Sequence, residues 1–554
     1  MNPIPADALQ VGALTAALAL VHRPLGDYMA GVFSSGRHLR VEKWIYRLVG
    51  ADPEAEMRWT AYLRAVLAFS AVGVLLLYVL QRAQDTLPLS LGFAPITPDQ
   101  AFNTATSFVS NTNWQSYSGE AAMGHVTQTA GLAVQNFVSA AVGIAVAVAL
   151  VRGFARSRTG ELGNFWADLV RGTVRILVPI SVIAAILLVA AGAVQNFGGI
   201  HQITTITGET QSISPGAVAS QEAIKNLGTN GGGYYNANSS HPFENPNGFS
   251  NLLTVFLMLV IPFSLPRTFG RMAGSVRQGY AIVSAMGLIW FAAVVLVTWI
   301  EYAHPGAASQ IAGGSMEGKE QRFGEGASSL FAVSTTMTST GSVNSFHDSF
   351  QGLSGGVLLL GMMLGGIAPG GAGSGLYGML VMAVIAVFAA GLMVGRTPEY
   401  LGKRIGTREI TPAALYILVT PALVLTGTAV AMATGNGESS MTNVGAHGFS
   451  EVLYAYTSAS NNNGSAFAGF SADTVFHNTA LGLCMLLGRF LPMVFVLALA
   501  GSLAEQKPVP VTAGTLRTDK PLFTGLLVGA ILIVAGLTFF PALALGPLAE
   551  GLAA

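Results

Sequence analysis

Charged residues are scarce in this chain of 554 amino acids, at 10% of the sequence against about 25% in soluble domains. A soluble protein of this length would need more charge to cover its surface. Acidic and basic residues balance at 27 each, which excludes the basic footprint of a nucleic-acid-binding protein. Apolar runs of about 18 residues or more recur instead, and that length crosses about 30 Å of hydrocarbon. The composition therefore predicts a polytopic membrane protein.

Cysteine is nearly absent as well, and so are the motifs of nucleotide chemistry. The one cysteine, Cys484, lies in an apolar run, so neither an internal disulfide nor a cysteine-based metal site can form. The nine histidines show no metal-ligand spacing. There is no G-x-x-x-x-G-K-[ST] loop and no aspartate-phosphorylation motif. We therefore expect no cofactor in this chain and no ATP hydrolysis by it alone, so any energy it uses must come from a partner or an ion gradient.

Ten segments are apolar and long enough to cross a membrane. The first is interpreted as a retained span, because Asp7 stands where a cleavable leader would carry Lys or Arg. The seventh and ninth segments are longer than one simple crossing requires. The predicted spans lie at 7–23, 59–82, 128–151, 173–195, 250–268, 279–301, 353–394, 412–433, 477–504 and 521–543.

Basic residues are distributed very unevenly between the two sets of connecting segments. The segments that follow odd-numbered spans carry 21 of them, whereas the opposite segments carry only Lys225, Lys319 and Arg322. Short loops rich in Lys and Arg stay in the cytoplasm. The bias predicts that both termini face outside. The cytoplasmic loops are short, so no separate soluble catalytic domain is expected.

Four of the outer segments share one plan. A short, moderately apolar stretch leads into a cluster of small polar residues and glycine, and a full span follows. We refer to these as clusters 1–4. They read SNTNWQ at 110–115, GTNGGG at 228–233, STGSVN at 339–344 and SASNNNGS at 458–465.

The clusters recur at nearly constant spacing, which is typical of an internal repeat. With Thr112, Asn230, Thr340 and Asn462 taken as marker residues, the intervals between clusters are 118, 110 and 122 residues. The sequence therefore predicts an all-α membrane fold with four pseudo-symmetric span–pore loop–span repeats and one extra span at each end. The predicted units are a first span with its loop at 1–58, repeats at 59–172, 173–278, 279–411 and 412–520, and a last span at 521–554.

The chemistry of the clusters favours a filter for a monovalent cation. The marker residues and their neighbours are Gly, Asn, Ser and Thr, without Asp, Glu, Lys or Arg. Rings of backbone carbonyls can replace the hydration shell of potassium. Non-helical backbone at membrane depth is tolerated only where it lines a protein cavity or a water path. Ordinary outer turns use the same residues, but their position at the same point of four repeats favours the filter.

Longer motifs around the clusters resemble one known family, the potassium-binding A subunit of the bacterial Kdp potassium-transporting ATPase. The resemblance covers essentially the whole chain, including ALALGPLAE near the C-terminus, and it implies the four-repeat fold of a potassium-transporter superfamily. The motifs that carry it are SNTNWQSYSGE at 110–120, LGTNGGGYYNANSSHPFENP at 227–246, GSGLYGM at 373–379, GRTPEYLGKRI at 395–405 and NNNGSAFAG at 461–469.

The resemblance implies a multi-pass protein of the bacterial cytoplasmic (inner) membrane that binds external potassium, its substrate, with high affinity. The implied partners are a P-type ATPase B subunit that uses ATP, a single-span C subunit and a small F peptide. Potassium would leave the pore through a tunnel toward the B subunit. Membrane lipid, anionic lipid included, is the remaining expected partner, and the loop at 395–404 is expected to dock a partner or lipid.

Carried over position by position, the resemblance implies a potassium-binding filter built from all four clusters. Gln115 corresponds to a family glutamine that influences affinity, and Thr340 stands where some relatives carry Cys. The implied filter residues are Asn111, Thr112, Asn113 and Gln115; Thr229, Asn230, Gly231 and Gly232; Ser339, Thr340 and Gly341; and Asn462, Asn463 and Gly464.

The seventh apolar segment predicts an inner gate. Residues 352–395 carry no charge, and as one helix they would be about 66 Å long, twice the bilayer core. The segment must break at 365–375, which holds Pro369 and six glycines. We predict that this loop turns beneath the filter, as against a simple kink or a surface hairpin. The residues assigned to it are Gly365, Gly366, where relatives often carry Glu, Pro369, Gly370 and Gly371.

Arg489 lies about twelve residues into the ninth predicted span. A cation at that depth is costly unless it faces water or a partner. We predict that it faces a cavity below cluster 4 and opposes the descent of potassium; snorkelling or pairing with a lipid headgroup are the alternatives. Glu120 and Glu244 are placed near the outer mouth, where they would attract cations.

Three functions fit the pore chemistry. In the first, the chain is the ion-binding subunit of an ATP-driven pump. In the second it is an autonomous potassium channel or potassium/proton symporter, and in the third it is a scaffold with an inactive pore. Pore chemistry alone does not separate the first two. The family motifs favour the first, and the polar clusters in all four repeats oppose the third.

Overall fold

Among the residues that the computed structural model describes, ten helices are long and apolar enough to cross a membrane, as predicted. The structure describes residues 4–303, 306–510 and 515–553. Residues 1–3 and 554, the two ends of the chain, lie outside these ranges. The prediction that both termini face outside concerns these residues. Spans 1–10 are Pro5–Ser34, Trp59–Arg82, Thr127–Ala155, Phe165–Ala191, Gly248–Met272, Val276–Ala303, Ser374–Met393, Thr407–Ala433, Val475–Glu505 and Pro521–Leu545.

Several spans extend beyond the apolar segments that predicted them. Span 1 continues to Ser34, and span 4 begins eight residues before the predicted start at 173. Asn164 caps span 4, since its side-chain oxygen accepts a hydrogen bond from the Ala167 amide at 3.0 Å. Hydropathy marks where hydrocarbon begins, whereas capping decides where a helix begins.

The predicted break in the seventh segment is present. A short helix, Gly352–Met363, is followed by a non-helical loop at 364–373, and span 7 then begins at Ser374. Gly370 and Gly373 have left-handed backbone in this loop, with φ of 73° and 94°. The prediction of one long segment interrupted by a glycine-rich loop is therefore confirmed.

Four short helices precede the four polar clusters. Each is mostly buried; the first three end one or two residues before their clusters, and the fourth ends at the third residue of cluster 4, so the chain turns back inside the protein. We refer to them as pore helices 1–4. They are Pro98–Val109, Val218–Leu227, Gly324–Met337 and Gly445–Ser460.

The remaining elements lie at the ends of spans. Two antiparallel hairpins pair His201–Thr204 with Thr210–Ile213 and Glu399–Tyr400 with Lys403–Arg404. Spans 3 and 4 contain π-helical turns at Thr127–Ala133 and Gly172–Leu177, and another follows span 10 at Ala544–Leu548. The short helices are Arg40–Val49, Gln84–Thr86, Gly119–Ala122, Asn238–Ser240, Ala307–Ala312, His347–Ser349, Asn436–Ser440 and Ala549–Ala553.

Span 3 is the most enclosed of the ten spans. Its small residues let neighbouring backbone approach closely. A Cβ added at Gly143 would lie 2.6 Å from the carbonyl oxygen of Ala372, and one at Gly153 would lie 2.7 Å from that of Ala500. Span 3 thereby fixes both the 364–373 loop and span 9 close to the molecular centre.

Candidate functional site

The four polar clusters, each more than 100 residues from the next, meet in one place. A Cβ added at Gly231 would lie 1.9 Å from the carbonyl oxygen of Thr340, so cluster 2 touches cluster 3. A Cβ added at Gly341 would lie 1.9 Å from the carbonyl oxygen of Asn463, so cluster 3 touches cluster 4. Only glycine fits at these two contacts.

The arrangement closes into a ring through Asn113. A Cβ added at Gly464 would lie 2.3 Å from the Asn113 amide nitrogen, so cluster 4 touches cluster 1. Asn113 Nδ2 then donates a 2.7 Å hydrogen bond to the carbonyl oxygen of Gly231 in cluster 2. The clusters therefore surround one axis in chain order.

Each cluster enters the ring through a residue with left-handed backbone. Such a conformation is uncommon outside glycine, and for the β-branched Thr229 it costs about 1–3 kcal/mol. Strain of this kind at four equivalent positions marks a shared geometry. The values of φ are 61° at Asn111, 49° at Thr229, 49° at Ser339 and 54° at Asn462.

A second left-handed residue follows two positions later in three of the clusters. Gly231, Gly341 and Gly464 have φ of 81°, 84° and 100°, whereas Asn113 in cluster 1 does not adopt positive φ. In a regular strand successive carbonyls point to opposite sides, and left-handed residues interrupt that alternation. The backbone can then direct several carbonyls of one cluster toward the axis, as a cation filter requires.

Asparagine side chains brace the ring from outside. Asn111 Nδ2 donates to the carbonyl oxygen of Thr229 at 3.0 Å, and Asn463 Nδ2 donates to that of Thr335 in pore helix 3 at 2.9 Å. Asn462 Nδ2 donates to Thr112 Oγ1 at 3.1 Å. These amides hold neighbouring clusters together, and the carbonyl oxygens of Thr229 and Gly231 are among the acceptors of cluster asparagines.

Gln115 and Gly232, two further predicted filter residues, are both held by hydrogen bonds. Gln115 Nε2 donates to the carbonyl oxygen of Gly233 at 3.2 Å, and Gln115 Oε1 accepts from the Gly233 amide at 3.0 Å. Gly232 packs against Phe108, and its carbonyl oxygen accepts a hydrogen bond from Gln221 Nε2 at 3.2 Å. The structure therefore gives Gln115 a bracing position between clusters 1 and 2.

Cavities lie at both ends of the ring. A vestibule of about 480 Å³ is lined by Asn113, Gly341 and Gly464. A smaller cavity of about 80 Å³ lies at the other end and is lined by Asn462 and Arg489 among others. The ring separates the vestibule from the smaller cavity, and we call the vestibule side outer and the other side inner.

The 364–373 loop packs against the inner end of the ring. Thr229 Oγ1 accepts a 2.8 Å hydrogen bond from the Ala372 amide. A Cβ added at Gly365 would lie 2.8 Å from Ser339 Oγ. The loop therefore lies beneath clusters 2 and 3, where the sequence predicted it, and is not a surface hairpin.

Among the glycines of this loop, Gly366 is the one that faces open space. A Cβ added there would meet no atom within 4 Å, whereas added Cβ atoms at Gly370 and Gly371 would meet backbone or hydroxyl atoms at 3.0 Å or less. Gly366 lines the inner cavity, and Tyr416 OH donates a 3.4 Å hydrogen bond to its carbonyl oxygen. The Pro369 carbonyl oxygen packs against Gly375.

Arg489 lies between span 3 and the same loop. Its side chain is buried, and Nη2 donates to the carbonyl oxygen of Ser139 at 3.3 Å. Across the described ranges, no acidic side chain lies within ion-pairing distance of it. Arg489 lines the inner cavity beside Asn462. This position favours a cavity-facing cation over one that snorkels to a headgroup.

A buried ion cluster beside cluster 2 is absent from the sequence predictions. Lys225 is fully buried in pore helix 2 and pairs with Glu222 at 2.5 Å and with Glu244. Its Nζ also donates to Asn238 Oδ1 at 2.9 Å, and Asn238 Nδ2 donates to the carbonyl oxygen of Gly231 at 3.0 Å. These ion pairs and hydrogen bonds brace cluster 2, which forms one wall of the ring. Its signal in the sequence is the Glu–Lys pair three residues apart inside a pore helix.

The expectation that Glu244 attracts cations at the outer mouth is wrong. Only 1% of Glu244 is exposed, and Lys225 together with the amides of Tyr234 and Tyr235 satisfies its carboxylate. Burial raises the pKa of Glu120, which weakens the same expectation for that residue.

His447 links three outer elements. On pore helix 4, its Nε2 lies 2.8 Å from Asp348 Oδ1 and its Nδ1 lies 2.9 Å from Glu550 Oε1 on the C-terminal helix. Hydrogen bonds to Asp348 and Glu550 raise the pKa of His447 to about 10. Glu451 is a third carboxylate nearby. The imidazolium form therefore holds the two carboxylates together.

We expect the stabilisation that protonated His447 provides by pairing with Asp348 and Glu550 to be lost at alkaline pH. A raised pKa in the folded state means that the stabilisation is complete below the unfolded value of about 6.5 and disappears as pH rises through about 10. The thermal unfolding temperatures of the purified protein and its His447→Gln variant, compared from pH 6 to pH 10.5, measure this stabilisation. The difference should shrink with pH, while His201→Gln, on an exposed strand, serves as control. A difference that is equal at both ends of the range contradicts the assignment.

Comparison with known proteins identifies the family of this chain. Residues 12–552 match the KdpA family model, described as Potassium-transporting ATPase A subunit. The chain belongs to this family. The resemblance drawn from the motifs is thereby confirmed.

Curated relatives match over their whole length. Proteins named potassium-transporting ATPase potassium-binding subunit from Streptomyces griseus and Streptomyces avermitilis are 74% and 73% identical over 553 residues, with 100% of each chain covered. The protein of that name from Mycobacterium avium is 61% identical over 555 residues, again with 100% of each chain covered. The chain therefore aligns with these relatives from end to end.

Proposed function

We propose that this KdpA-family chain binds potassium from outside the cell in the ring of clusters 1–4 and delivers it to a P-type ATPase subunit that hydrolyses ATP. The chain itself is the ion-binding, non-hydrolytic subunit. The observation that carries the proposal is the closed ring, with left-handed backbone at Asn111, Thr229, Ser339 and Asn462. The printed names of the full-length relatives support the same function.

The filter is proposed to be a carbonyl ring with side-chain braces. Its inner, middle and outer layers come from successive residues of each cluster, so Asn462, Asn463 and Gly464 supply one wall. Gln115 acts by fixing cluster 1 against cluster 2 through Gly233. Potassium is the substrate and enters from the vestibule.

The inner gate is proposed to consist of the 364–373 loop and Arg489. The loop covers the inner ends of clusters 2 and 3, and Arg489 places a positive charge at the inner cavity. An ion that leaves the filter therefore meets backbone and a cation in the straight-through direction. This arrangement favours lateral delivery to a partner over passage through this chain, and it disfavours an autonomous channel or symporter.

The setting of the chain is proposed from its basic loops. The cytoplasmic (inner) membrane, with both termini outside, places the vestibule toward external potassium. A single-span C subunit, a small F peptide and membrane lipid complete the proposed surroundings.

Potassium-stimulated ATP hydrolysis by the complex that this chain forms in its native membrane tests the proposal. We expect stimulation by potassium at concentrations where sodium has no effect, and no hydrolysis by the isolated chain. If no ATPase co-purifies while the isolated chain passes potassium into vesicles, the chain is an autonomous channel or symporter and the proposal is wrong.

A further inference from the structure

The short helix Arg40–Val49, between spans 1 and 2, has three distinct faces. One face packs on the protein: Glu42 and Tyr46 are buried, and Tyr46 contacts Ala167 and Val170 at the start of span 4. This face fixes the helix against the end of a membrane span. The other two faces are exposed and differ in chemistry.

The second face is apolar and exposed. Val41, Trp44 and Leu48 occupy positions i, i+3 and i+7 of the helix and are 47%, 63% and 71% exposed. Residues with that spacing lie on one side of a helix. Three large apolar side chains on one exposed face of a short helix require a non-aqueous neighbour.

The third face is cationic and adjoins the apolar one. Arg40, Lys43 and Arg47 are exposed and have the same i, i+3, i+7 spacing. On a helical projection Trp44 lies between the two faces. An apolar face with tryptophan beside a row of Lys and Arg is typical of helices that lie in the membrane interface.

The protein contacts place this helix at the hydrocarbon boundary. Arg175 Nε and Nη2 each donate a 2.5 Å hydrogen bond to the Glu42 carboxylate. The uncharged, strongly apolar part of span 4 begins immediately after Arg175, at 176–191. Val178 and Val182, on the adjoining turns, are exposed. The helix therefore sits where the lipid-facing surface of span 4 begins.

We propose that the helix Arg40–Val49 is a binding site for anionic phospholipid, with Val41, Trp44 and Leu48 in the acyl-chain boundary and Arg40, Lys43 and Arg47 on the headgroup phosphates. The cationic face complements anionic lipid headgroups, and the apolar face lies at the boundary where acyl chains begin. A protein partner would need a surface that is both apolar and anionic at the same depth, so these two observations favour lipid. The assignment is independent of the ion-binding proposal.

Quenching of Trp44 by brominated lipids in nanodiscs that contain the full complex tests the proposal. The difference between wild type and Trp44→Phe isolates the signal of Trp44. At equal mole fraction we expect brominated phosphatidylglycerol to quench Trp44 about threefold more than brominated phosphatidylcholine, because each cation near an anionic surface adds to the attraction. High salt should reduce this preference, since the headgroup charges are screened.

A charge-removed variant distinguishes the two exposed faces. In Arg40→Gln/Lys43→Gln/Arg47→Gln the preference for phosphatidylglycerol should disappear while quenching by phosphatidylcholine persists. The control Arg158→Gln/Arg277→Gln/Lys507→Gln removes three exposed cations from other basic loops and should retain the preference. If neither lipid quenches Trp44, protein or water covers the apolar face and the proposal is overturned. Equal quenching by both lipids in wild type at low salt overturns the anionic assignment.

Discussion

Gly341→Ala is expected to raise the potassium concentration for half-maximal ATPase stimulation by about two orders of magnitude. The added Cβ would lie 1.9 Å from the carbonyl oxygen of Asn463, and φ at position 341 is 84°. Displacement of a coordinating carbonyl that weakens binding by about 3 kcal/mol corresponds to about a hundredfold in affinity, whereas the left-handed strain is expected to lower thermal stability. Titration of potassium-stimulated ATP hydrolysis by the purified complex measures the change.

A second glycine substitution controls for the general effect of an added methyl group. At Gly529 in span 10 an added Cβ meets no atom within 4 Å, so Gly529→Ala should leave the potassium requirement unchanged. Thermal unfolding of both complexes shows whether Gly341→Ala is assembled. An assembled Gly341→Ala complex with the wild-type potassium requirement would falsify the carbonyl-ring assignment.

Arg489→Gln is expected to increase ATP-independent potassium flux through the complex by about two orders of magnitude. A unit charge about 5 Å from an ion, at an effective dielectric constant of about 20, contributes about 3 kcal/mol to a barrier. Glutamine retains much of the side-chain volume against span 3 and the 364–373 loop but removes the charge. Flux of potassium into proteoliposomes without ATP measures the barrier.

Arg489→Lys is the matched control, because it retains the charge and changes the hydrogen-bonding geometry. We expect its flux without ATP to stay near wild type. If Arg489→Gln and Arg489→Lys both remain as tight as wild type, the charge does not oppose the ion. If both variants leak equally, the contact of the guanidinium with Ser139 closes the path, and the proposal of an electrostatic barrier is wrong.

The features predicted correctly depend on local composition. Apolar length alone identifies the ten spans, and the density of glycine around Pro369 identifies the break that the structure has at 364–373. The pore helices were also visible, because each polar cluster follows a short apolar stretch. Such signals need only the residues of one segment.

The features that were missed depend on pairing between distant segments. The reciprocal bonds of Gln115 with Gly233 span 118 residues, and neither residue is distinctive by itself. The sequence predicts Lys225 to be a cation of an outer segment, since charge usually indicates exposure. Its two carboxylate partners, Glu222 and Glu244, make burial tolerable, and that compensation is a tertiary property.

Asn113 makes the ring unequal. Three walls present a left-handed glycine at the outer layer, and the fourth presents an asparagine whose Oδ1 is buried and accepts no hydrogen bond from the described residues. In a filter assembled from four identical subunits, such a replacement would occur four times and crowd the axis. A single polypeptide that encodes all four walls can change one of them alone. In the proposed filter, selectivity can therefore evolve by single-wall substitutions that a symmetric tetramer cannot sample.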